Sequence, residues 1–207
     1  AIVPVLAAVF AGGCNIFGPA VYFLGGPAKT KALYKLDAKR PTVVFVDDRS
    51  NKVPRRATRM VIAQEAERTL AGEKVVQELI STQSAALAAS QDKEKATPIS
   101  EIGRSVSAEV VIYATVDQFS LTTDGQRYSP IAVLRVKVID ATSDTRLWPD
   151  DPNGAVVRVQ LPPKTSELPS TSAARFTAED ELAKQTGLEL AWVFVDHLPD
   201  KTIKGPE

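Results

Sequence analysis

The run Glu109-Val110-Val111-Ile112-Tyr113-Ala114-Thr115-Val116 carries the strongest strand signal in the chain and constrains the fold more than any other feature. β-branched and aromatic side chains fit a pleated, packed surface, so this run belongs inside a sheet. A second run, Thr42-Val43-Val44-Phe45-Val46, ends at Asp47-Asp48-Arg49-Ser50-Asn51 and predicts a buried strand followed by a loop. Residues 131–139 alternate. Ala132, Leu134, Val136 and Val138 fall on one face and Val133, Arg135, Lys137 and Ile139 on the other, which predicts one core face and one wet face. Shorter strands are expected at residues 75–80, at 145–148 after a turn at Thr142-Ser143-Asp144, and at 156–161, an edge strand closed by Pro162-Pro163.

Helical spacing fills the intervals. Pro54 fits a first turn, and Ile62, Ala63, Ala66 and Leu70 recur on one helix face, with Gly72 as the stop. Ser81 or Thr82 can cap a short alanine-rich helix to residue 89, residues 100–106 make another, and Ser170-Thr171-Ser172 starts a long one to about His197. The stripe Ala183, Gly187, Leu190, Ala191 and Phe194 suits a helix lying across a sheet. The order β-α-β-α-α-β-β-β-β-α predicts the class α/β (α+β): a single layered domain over residues 41–198, a mixed β-sheet packed by helices, with a tail at 199–207. At 207 residues, 44% of them hydrophobic, the chain can bury one sizeable core. Lysine plus arginine and aspartate plus glutamate balance at 25 each, so no global field collects nucleic acid and partners have to be chosen by local patches.

Residues 1–27 carry no charged side chain, and within them Cys14 is the one cysteine of the chain, which leaves no internal disulfide to form. The apolar run over residues 1–10 leads into Ala11-Gly12-Gly13-Cys14, an apolar stretch ending in small residues as at a processing site. This resembles the lipobox of bacterial lipoprotein precursors, in which cleavage precedes the cysteine and acyl chains on it hold the protein to a bilayer at roughly 0.8 kcal/mol per buried methylene. The resemblance implies residual signal peptide at 1–13 and a lipid-attached apolar tether at 14–40, with membrane lipid as a partner through Cys14. The alternative for residues 1–27 is a spanning helix or buried segment. Their length suffices for one, but Pro4, Gly12, Gly13, Gly18, Pro19, Gly25, Gly26 and Pro27 break it. Asn15 after the cysteine points, by the same resemblance, to the outer membrane.

Residues 42–149 resemble the α/β domain shared by the amino-terminal domain of TolB, the curli-secretion lipoprotein and the lipoprotein activators of penicillin-binding proteins. Two stretches carry the likeness. Residues 102–114 resemble that group's helix, small residue and strand, with Glu109 and Ala114 departing from it. Residues 136–148 resemble its hairpin ending in tryptophan, with Ser143-Asp144 in place of the usual Thr-Gly turn. The likeness implies a periplasmic protein that binds other envelope proteins or assembles into complexes. The expected function is therefore a membrane-anchored, non-enzymatic assembly or regulatory module of a secretion, transport or cell-wall complex.

Candidate chemistry is sparse. His197, the one histidine, stands at the end of a helix, and no phosphate-loop, dinucleotide or paired-cysteine motif is present, so no catalytic residue, cofactor or metal ligand is assigned. The loop after the first strand is the exception. Asp47 and Asp48 are followed by Arg49, Lys52, Arg55, Arg56 and Arg59 around a helix start, a place where α/β folds favour ligands and where anions are attracted. This is an anion or partner patch, or else a solvated face whose arginines pair with nearby acids. Two other function classes stay open: a carboxylate-dependent hydrolase at Asp47 and Asp48, and a homo-oligomeric structural subunit. Adjacent carboxylates at a strand end point to opposite faces, which argues against a metal there. Tyr22, Phe23 and Leu24 form a partner or membrane strip or pack on their own domain, and Trp148 and Trp192 are expected as core anchors.

Overall fold

The computed structural model describes residues 29–90, 97–163, 165 and 167–198. Six strands and four helices follow in the expected order: β1 (Thr42–Asp47), α1 (Arg56–Gly72), β2 (Leu79–Ile80), α2 (Thr82–Ser90), α3 (Ile99–Ser105), β3 (Val110–Ser120), β4 (Ile131–Asp140), β5 (Thr145–Trp148), β6 (Ala155–Gln160) and α4 (Ser172–Trp192). They build one mixed sheet in the order β2-β1-β3-β4-β5, with β6 also paired to β4. β1 lies parallel to both β2 and β3. The β3–β4, β4–β5 and β4–β6 pairs are antiparallel, so β5 and β6 divide one edge of β4 between them.

Burial explains the strand patterns. β1 is parallel-paired on both sides and covered on both faces, which is why Thr42–Val46 reads as a continuous apolar run. Val44 and Val46 enter the larger core with Ile62, Leu70, Ile112, Leu134, Leu182 and Leu190, beneath α1 and α4. Val43 and Phe45 enter a smaller core with Ala85, Ile102, Val111 and Tyr113, beneath α2 and α3. The result is three layers, helix pair on sheet on helix pair. The alternation of β4 is as expected on the core side, where Ala132, Leu134, Val136 and Val138 are fully buried; on the other side Val133 is buried as well.

Several boundaries differ from the sequence reading, each for a tertiary reason. Pro54 lies ahead of α1, whose cap position is Arg55. Of residues 75–80 only Leu79 and Ile80 pair with β1, because Val75 N–H closes the end of α1 on Leu70 O (3.1 Å) and Gln77 N–H bonds Ala38 O (2.8 Å). β3 runs four residues past Val116 through an irregularity between Val116 and Gln118 that interrupts its alternation. α4 starts with the predicted cap, Thr171 Oγ1 accepting from Ala174 N–H at 3.1 Å, but stops at Trp192 rather than near His197. There the chain is captured by residues 30–34: Leu33 N–H bonds Val193 O (2.8 Å), and Thr30 and His197 exchange backbone bonds of 2.8 and 3.0 Å. Tyr34 and Leu36 pack against the larger core from this segment.

Candidate functional site

β1 ends where connections leave the sheet on opposite faces, α1 above towards β2 and α2 with α3 below towards β3. A crevice outside the carboxyl end of a strand at such a point is a usual ligand position in α/β sheets. Here it is a recess of about 390 Å³ lined by Phe45, Val46, Asp47, Asp48, Asn51 and Val53, by Arg55, Arg56 and Arg59 of the start of α1, and by Ala86, Ala89 and Ser90 of α2. The first turn of α1 holds no acidic side chain and its cap residue makes no side-chain capping bond.

The two carboxylates do separate jobs. Asp48 is buried and closes the loop on itself, Oδ1 accepting from Lys52 N–H (2.7 Å) and Oδ2 from Val53 N–H (2.8 Å). Asp47 turns to the other side, where its Oδ2 accepts from Tyr113 Oη–H (3.0 Å) and pairs with Arg49 Nε (2.8 Å). Burial first, then the charge of Asp47, raises the Tyr113 hydroxyl above the ordinary phenol range, and the Asp47 hydrogen bond raises the Arg49 guanidinium. Both acids thus have local partners, Asp48 at each of its oxygens and Asp47 at Oδ2.

The basic residues divide into four groups. Arg49 is paired with Asp47. Arg55 is fixed by Glu179 of α4, with Nη2 and Nε at 2.9 and 3.1 Å from Oε2, and lies 4.3 Å over the Phe176 ring. Arg56 and Arg59 line the recess and make no ion pair among the described residues. Lys52 is turned elsewhere, into a second depression of about 300 Å³ with Pro54, Phe119, Leu121, Arg175 and Glu179. Thus Arg55, Arg56 and Arg59 come together, while Arg49 and Lys52 stand apart from them.

The far wall of the recess, Ala86, Ala89 and Ser90, and the partners Tyr113, Phe176 and Glu179 were not among the sequence candidates. Tyr113 had a readable signal, since it stands opposite Phe45 in the β1–β3 register, on the face that also carries Asp47. Glu179 comes from 124 residues away and left no local trace. Trp148 packs against the core between Tyr34, tilted at 5.8 Å, and Phe194, edge-on at 6.2 Å, whereas Trp192 is half-buried and stacks on His197 at 4.5 Å. Cys14 and the Tyr22-Phe23-Leu24 strip lie outside the described residues. Among the described residues no cluster of three or more histidine, cysteine, aspartate or glutamate side chains is placed to hold a metal, and no helix is long and apolar enough to cross a membrane.

No family model matches the chain, and no curated protein matches it. Among solved structures, the PelC dodecamer from Paraburkholderia phytofirmans is similar with a TM-score of 0.48 and 14% identity, over 80% of this chain and 94% of that one. Lipoprotein GNA1162 from Neisseria meningitidis gives 0.43 and 8%, over 70% and 96%. The LpoB C-terminal domain from Salmonella enterica gives 0.36 and 16%, over 59% and 84%. At TM-scores under 0.5 the likeness is a loose one of general arrangement.

Proposed function

We propose that the chain is a bacterial envelope lipoprotein, held to the periplasmic face of a membrane by lipid on Cys14, that acts by binding rather than by catalysis as an assembly or regulatory module of an envelope complex. The carrying observation is the setting of Cys14, an apolar run ending in Ala11-Gly12-Gly13 before the one cysteine, ahead of a three-layer domain. The geometry at β1 supports the binding half of the reading. Asp47 and Asp48, the residues a hydrolase would use, are engaged by Tyr113, Arg49 and the loop backbone, and the recess presents guanidinium groups instead.

The test is a crosslinked pull-down of the full-length precursor from native membranes, beside a Cys14→Ala version. A repeatable envelope protein, or a second copy of the chain, captured by the wild type and lost with Cys14→Ala supports the proposal. Capture that does not depend on Cys14, or hydrolytic activity abolished by Asp47→Asn with the fold intact, overturns it.

A further inference from the structure

We infer that the recess at the carboxyl end of β1 is a binding site for a phosphate ester, whose oxygens are taken by Arg56 and Arg59. Charge bookkeeping within the recess selects an anion. Asp47 is matched by Arg49 and Arg55 by Glu179, which leaves Asp48 against the two guanidiniums of Arg56 and Arg59 and one positive charge in excess. Asp48 also has each of its oxygens occupied by a backbone N–H. The first turn of α1, bare of acidic side chains, adds potential of the same sign.

The number of donors selects the kind of anion. Arg56 and Arg59 are three residues apart on α1, so their Cβ atoms are about 5–6 Å apart and the two side chains leave the helix side by side. Each guanidinium can present two parallel N–H groups. One such fork satisfies a planar carboxylate, whereas two forks on one recess suit a tetrahedral group with three or more oxygens. Arg55, fixed by Glu179 and the Phe176 ring, borders them as a rigid wall. The rest of the lining selects an ester over the bare ion. Phe45, Val46, Val53 and Ala86 supply an apolar side, and about 390 Å³ exceeds what a phosphate alone would fill. Such a group can be the head of an anionic phospholipid or a soluble phosphate ester.

The experiment uses the full chain carrying Cys14→Ala, so that no acyl anchor contributes. One arm titrates glycerol 3-phosphate, with glycerol as the neutral control, by calorimetry at low and at physiological salt. The other measures cosedimentation with vesicles containing phosphatidylglycerol, against vesicles of phosphatidylcholine alone. Saturable, salt-sensitive binding is expected in at least one arm: in the first if the source is a soluble ester, in the second alone if it is a lipid headgroup. The double variant R56Q/R59Q should weaken binding by tenfold or more, and R56K/R59K should fall between, because lysine keeps the charge and loses the fork. Glutamine is a good helix former and neither arginine makes an ion pair among the described residues, so the unfolding midpoint should not move. Binding no tighter than to the neutral control in both arms, or unchanged affinity in R56Q/R59Q, overturns the inference. Lipidation of Cys14 plays no part in this test, so its failure and that of the envelope-lipoprotein proposal are separately visible.

Discussion

Asp48 and Tyr113 show how single side chains set the shape of the recess. Asp48 holds the backbone N–H groups of Lys52 and Val53, which otherwise have only water to turn to. Asp48→Ala orphans the buried Val53 donor and the part-buried Lys52 donor at about 1–3 kcal/mol, so a fall of about 2 kcal/mol in unfolding free energy is expected in urea titrations. Tyr113 supplies a pH dependence. Burial and the Asp47 charge raise its hydroxyl above the unfolded value of about 10, so its contribution is whole below that pH and is lost as the pH rises above it. Stability should decline above about pH 10, and Tyr113→Phe should flatten the decline; an unchanged alkaline slope in the variant would refute the assignment. At this scale the sequence was informative about types and silent about pairings. The Asp-Asp-Arg loop was legible as a polar cluster, whereas the assignment of Arg49 to Asp47 and Arg55 to Glu179 depends on side-chain directions and on a helix far along the chain.

Packing of whole elements is best tested where α1 and α4 meet. A Cβ built on Gly187 would stand 2.3 Å from Ile62 O and 3.1 Å from Ala66 N, both backbone atoms of α1, so the helices can touch only because this residue lacks a side chain. Gly187→Ala gains about 1 kcal/mol of helix propensity yet forces two helices apart, at about 1–3 kcal/mol for overpacking. Net destabilisation is expected. At Gly103 the obstacles are the side chains of Ala141 and Val111, both at 2.7 Å, and the backbone atom met there, Ala108 O, is 3.5 Å away. Gly103→Ala should therefore lower the urea midpoint less than Gly187→Ala, and the reverse order would contradict the packing described. Elements with unbroken periodicity were legible: β1, the β4 core face, and the stripes of α1 and α4. The ends were not. α4 stops early because the segment at residues 30–34 takes the carbonyl of its cap residue Val193, and β3 continues through an irregularity that breaks its alternation.

For the molecule as a whole, residues 29–36 belong to the folded body as much as to any tether. Tyr34 and Leu36 pack on the larger core, and Thr30 and Leu33 bond to residues 193–197. Deleting residues 1–36 should cost several kcal/mol relative to deleting residues 1–28, as loss of two large apolar side chains at about 1.5–3 kcal/mol each implies. The layered architecture could be read from element order because each strand and helix has to bury one face. The recess was legible only as a charged loop, since its second wall comes from α2. The claim on which the account turns is the anchor, and intact-mass analysis of the protein recovered from native membranes tests it most directly. The expected result is a chain beginning at Cys14 with the added mass of diacylglycerol and acyl chains, and a Cys14→Ala precursor that leaves the membrane fraction; an unmodified Cys14 in a soluble chain would contradict the anchor.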